Sequence, residues 1–71
     1  MQIKDLLGMQ VLDFDAKNIG KVDDVDFNEY TGQINKIAVS LKKNIFSHDE
    51  IIIHYDNIKS IGDYVLLNNK Y

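Results

Sequence analysis

The chain contains no cysteine and no proline, and all of its basic residues are lysine. Without cysteine there is neither a disulfide framework nor a thiolate metal site to hold a small fold together. At 71 residues the chain is one domain, and a domain this small buries only roughly 60% of the surface its unfolded chain exposes. The missing stabilisation must come from a very compact barrel or from self-association. The lack of proline, with 45% hydrophobic residues, excludes a disordered chain and provides for a real core. A net charge of −3 carried against lysine alone lacks the clustered positive field and arginine forks that phosphate backbones favour, which argues against nucleic acid as the main partner. No apolar run reaches the length of a membrane span, and residues 1–10 lack the apolar core of a secretory signal. A soluble, cytoplasmic protein is the expectation.

What is present is organised around residues 19–32. Val25 and Phe27 alternate with Asp24 and Asp26, the period-two pattern of a strand with one buried face. Val22 lies an odd number of residues from Val25, so a regular strand would turn it to the other face. A bulge near Asp23 and Asp24 brings both valines inward and bends the strand, as a small barrel requires. Residues 28–32, Asn-Glu-Tyr-Thr-Gly, have turn chemistry: asparagine bonds to its local backbone and glycine accepts a positive φ. Alternation resumes at Ile37, Val39 and Leu41, and the odd spacing from Ile34 predicts a second irregularity.

On either side, shorter elements follow from the same signals. Residues 1–7 suit one helical turn or a short entering strand, ended by Gly8. Residues 10–14 read as a strand with Val11 facing opposite to Leu12 and Phe14, followed by a turn at residues 15–18. Residues 43–49 form a loop carrying Ile45 and Phe46 where turn residues alone would suffice. Residues 50–54 are a strand whose three isoleucines predict burial on both faces, or one face against another subunit. A turn at residues 55–57, a strand at 58–61, a turn at 62–63 and a last strand at 64–67 complete the chain. Short strands at close spacing predict an all-β fold, a partly open antiparallel barrel of about six strands over residues 6–67 with flexible ends. The expected core is Leu12, Val22, Val25, Phe27, Ile37, Val39, Leu41, Ile51, Ile53, Ile58, Ile61, Val65 and Leu67.

Two constellations invite metal chemistry. An EF-hand read from Asp13 would place Asp15 third and Asp24 twelfth, but Lys17 and Asn18 occupy its fifth and sixth positions, where a ligand and a glycine belong. Turn-forming aspartates on an acidic rim are the better reading. His48 and His54 flank Asp49, Glu50 and Asp56, ligand types suited to zinc, yet the turn at Tyr55 takes His54 and Asp56 off a common strand face. Paired carboxylates occur without a serine, cysteine or histidine arrangement of recognisable context, and a barrel this small leaves little room for a closed pocket. Neither a catalytic residue nor a cofactor or metal site is expected. The surplus apolar side chains, Ile45, Phe46 and Ile52, with His54 and Tyr55 beside them, are the candidate partner or self interface.

The pieces Leu7-Gly8, Val11, Asn18-Ile19-Gly20-Lys21-Val22-Asp23-Asp24-Val25 and Thr31-Gly32-Gln33-Ile34, in this order, resemble the PRC-barrel family. The likeness continues through Ile51-Ile52-Ile53-His54-Tyr55-Asp56-Asn57-Ile58 and Ile61-Gly62-Asp63-Tyr64-Val65-Leu66-Leu67. That family includes the small barrel of the photosynthetic reaction centre H subunit and the C-terminal domain of the ribosome maturation factor RimM. The position before Tyr55, often proline there, is His54 here. The resemblance is to stand-alone archaeal members, and it implies an adaptor, homodimeric, acting at the division site with a SepF-type or FtsZ-type protein or with a second PRC-barrel protein. It implies, as alternatives, a ribosome-assembly factor like the RimM barrel or a small metal- or ligand-binding barrel.

Overall fold

The computed structural model describes residues 2–41 and 49–70. A helical turn, α1 (Ile3–Leu6), precedes β1 (Gln10–Leu12), β2 (Asn18–Phe27), β3 (Ile34–Leu41) and β4 (Glu50–His54). A 3₁₀ turn (Tyr55–Asn57) leads to β5 (Ile58–Ile61) and β6 (Val65–Leu67). The strands form one six-stranded sheet in the order β4-β3-β2-β1-β6-β5. This is the expected partly open barrel, with β4 and β5 left as edges. Its pairs are antiparallel except at β1 and β6, which run parallel.

The β2–β3 hairpin carries both irregularities that the odd apolar spacings require. The register shifts between Val22 and Asp24, leaving Asp23 as the extra residue, and again where Asp26 pairs with Lys36 but Phe27 with Ile34. The first shift turns Val22 and Val25 to the same side, and the second does so for Ile34 and Ile37. Its turn is held by Asn28, whose Oδ1 accepts from the N–H groups of Tyr30 (2.9 Å) and Thr31 (3.2 Å). The Gly32 N–H donates to the Asn28 carbonyl at 2.7 Å, and Gly32 has φ 75°, a conformation that favours glycine.

Leu6, Val11, Ile19, Val22, Ile37, Val39, Ile53, Val65 and Leu67 form the core, with Met9, Val25, Ile34, Ile51, Ile58 and Ile61 packed against it. Three expected members are displaced. Leu12 is only half-buried, because its neighbour Val11 faces inward with no exposed surface. Phe27 is exposed, because the hairpin end runs past the barrel into a fully exposed turn. Leu41 is half-buried at the end of β3, where it lines a hollow with Gly20, Lys21 and Ser40. Phe14, expected to share the face of Leu12, lies outside β1 and is exposed. Tyr64, expected in the last strand, sits in the preceding bend.

The core draws instead on Leu6, which the α1 turn delivers, and on Ile19 at the start of β2. The entry segment is pinned to β2: the Gly8 N–H donates to the Val22 carbonyl (2.8 Å), and the Val22 N–H donates to the Met9 carbonyl (2.9 Å). Where β2 crosses β3, Gly20 is required by space, since a Cβ there would collide with the Ser40 carbonyl.

Candidate protein-binding edge

Strand β4 lies against β3 in an unbroken register: Lys36 opposite His54, Ile37 opposite Ile53, Ala38 opposite Ile52, Val39 opposite Ile51 and Ser40 opposite Glu50. The Leu41 N–H donates to the Asp49 carbonyl at 2.9 Å, one pair further along the same ladder. Every second pair of an antiparallel ladder exchanges both backbone bonds. Ile51 and Ile53 are therefore the residues bonded to β3, and the N–H and C=O groups of Glu50, Ile52 and His54 point away from it, to the side where no described strand pairs. The three isoleucines divide accordingly: Ile53 is in the core, Ile51 packs against it, and Ile52 stands on the outer face, 51% exposed. Burial of the isoleucines on both faces, the first alternative expected from the sequence, is therefore not found, because Ile52 lies on the outer face.

The outer face beside this edge is polar in rows. Asp24, Ala38 and Ile52 lie across the sheet in one row, and Asp26, Lys36 and His54 in the next. Asp24, Asp26, Lys36, Ala38 and Ile52 line a shallow hollow of about 210 Å³. Tyr55, which opens the 3₁₀ turn, is also about half exposed. At the other end of β4, a side-chain hydrogen bond with Asp23 and the negative charge of the same carboxylate raise the Glu50 pKa above its ordinary 4.5. The bulge is the cause, because the extra residue in β2 is Asp23 itself. This pairing was not readable from sequence, where Asp23 and Glu50 are far apart.

Of the residues expected at an interface, Ile52, His54 and Tyr55 thus cluster at one edge. Ile45 and Phe46 lie outside the described residues, as does His48 of the zinc constellation. Among the described residues no three histidine, aspartate or glutamate side chains converge as metal ligands. The first acid of the EF-hand reading, Asp13, is buried and serves its own turn: Oδ1 accepts from the N–H groups of Asp15 and Lys17, each at 2.9 Å. No helix among the described residues is long and apolar enough to cross a membrane.

The opposite edge is built differently. In β5 the register shifts between Ile58 and Ser60, so Lys59 forms an irregularity, and its Nζ lies 5.8 Å from the centre of the Phe14 ring. An edge lysine at a bulge is a common guard against further strand pairing. Strand β4 has neither bulge nor lysine.

Among the described residues the architecture is thus a small open barrel with a lysine at a bulge on one edge and neither feature on the other. The chain belongs to the PRC-barrel domain family, whose model matches residues 1–71. Its structure is similar to that of a Pseudomonas aeruginosa protein described as a 16S ribosomal RNA processing protein, RimM, with a TM-score of 0.70 and 16% sequence identity. The similarity covers 99% of this chain and 44% of that one, so the chain spans less than half the length of RimM. At that identity the likeness is one of fold. No curated protein matches the chain in sequence.

Proposed function

We propose that this chain is a non-catalytic adaptor that binds protein by adding a strand at the β4 edge. The observation that carries this reading is the outward row of Glu50, Ile52 and His54 backbone groups around an exposed isoleucine on an unbulged edge. Main-chain hydrogen bonds supply affinity in such pairing, and the alternate side chains supply selectivity. The family resemblance supports an adaptor in archaeal cell division, working in the cytoplasm at the division site with a SepF-type or FtsZ-type protein or a second PRC barrel. The fold shared with RimM supports a second reading, a ribosome-assembly factor that docks on a ribosomal protein.

The test is capture from source cells on the tagged chain and on its Ile52→Asp variant, with bound proteins identified by mass spectrometry and circular dichroism confirming the variant's fold. The expected result is enrichment of division proteins or sister PRC barrels by the first and not by the second. Enrichment of small-subunit ribosomal proteins transfers the assignment to the second reading. Equal capture by both chains removes β4 as the binding edge, and no enrichment overturns the adaptor.

A further inference from the structure

The β4 edge is self-complementary. Its outward positions read Glu50, Ile52, His54, an acid and an imidazole placed symmetrically about an isoleucine. We propose that the occupant of this edge is β4 of a second copy of the chain, running antiparallel, with Ile52 opposite its symmetry mate and each Glu50 opposite the other copy's His54. The inference rests on the reading of β4 as a binding edge and adds the partner and the register.

Three observations select this arrangement. Because the backbone groups that point away from β3 belong to Glu50, Ile52 and His54, the register centred on Ile52 makes each of these positions a hydrogen-bonded pair between the copies. The side chains set directly opposite one another also match, a carboxylate against an imidazole. Glu50 has Asp23 and Asp24 beside it, while His54 has Lys36 as its neighbour on β3, with Asp26 a strand further and Asp56 two residues on in the chain. Lys21 lies two strands from Glu50, beyond Ser40. Antiparallel pairing sets the Glu50 carboxylate of each edge against the other copy's His54, around which Lys36 stands with the carboxylates of Asp26 and Asp56, and an imidazole N–H donates to a carboxylate whether or not the ring is protonated. Parallel pairing would set Glu50 against Glu50. Finally, Ile52 is the most exposed large aliphatic side chain among the described residues, and only the centred register covers it with its own kind. Shifting by two residues puts it opposite Glu50 or His54. A twofold contact of this kind closes as a dimer and consumes both unguarded edges. The dimer then presents two copies of its remaining surface, as a bivalent adaptor requires.

Sedimentation equilibrium of the full chain tests the proposal. The wild type is expected at twice the 8.2 kDa chain mass and Ile52→Lys at the single mass. Glu50→Lys alone and His54→Glu alone are each expected to weaken dimerisation about tenfold, and the two changes together to restore it. A dimer indifferent to Ile52→Lys overturns the placement at β4. Failure of the double exchange to restore association overturns the register. A wild type monomeric up to millimolar concentration overturns self-pairing but leaves β4 open to another protein, which loss of capture by the Ile52→Asp chain identifies independently.

Discussion

Single side chains in this barrel are set by the backbone irregularities beside them. Asp23 is the clearest case: as the extra residue of the β2 bulge it meets Glu50 on β4, and the shared hydrogen bond and charge push the Glu50 pKa up. Folding then binds that proton more tightly than the unfolded chain does. The contribution favours folding below the ordinary value of 4.5 and is lost as pH rises through the raised pKa. Glu50→Gln removes the repulsion without changing size. At a concentration where the chain is monomeric, the variant is expected to melt above the wild type at pH 7, with the difference closing as the pH falls below 4.5. A variant that melts at or below the wild type at neutral pH contradicts the pairing of Asp23 with Glu50. Asp13 shows the same local logic, because its carboxylate closes the turn after β1, and the residue that most invited a calcium reading is a structural one.

At the scale of elements, much was legible where the apolar pattern is long. The odd spacings of Val22 from Val25 and of Ile34 from Ile37 required two irregularities, and both occur in the β2–β3 hairpin. Strand β4 and strand β5 fall at the residues where the pattern placed them. Strand β1 did not yield its facing: with three residues it offers no period to read, so the choice of Val11 over Leu12 is made by contacts with β6 and β2 that leave no local trace. The parallel pairing of β1 with β6 was hidden for the same reason, since it joins the two ends of the chain. Adjacent residues in β4 give a direct check of the facing found there. Ile53→Ala is expected to destabilise the monomer by roughly 2–5 kcal/mol, whereas Ile52→Ala should change it by no more than about 0.5 kcal/mol. Chemical denaturation of both variants in dilute solution decides it, and comparable losses would place Ile52 in the core.

For the whole molecule, the barrel is marginal in size and among the described residues leaves one edge unguarded, and these two facts point the same way. A chain that buries little on its own gains from extending its sheet, and β4 is where the sheet can extend. The candidate site was partly visible beforehand through Ile52, His54 and Tyr55. The guarded β5 edge and the parity of the β4 backbone groups were not, because both depend on register rather than composition. That parity decides which amides of β4 a partner strand would cover. Amide hydrogen exchange, measured residue by residue in dilute solution and again in the assembled state, reads it directly. The amides of Ile52 and His54 are expected to exchange freely in the isolated chain and to become protected on assembly, while those of Ile51 and Ile53 are protected in both. Equal exchange at Ile52 in the two states, with assembly established, would contradict β4 as the binding edge.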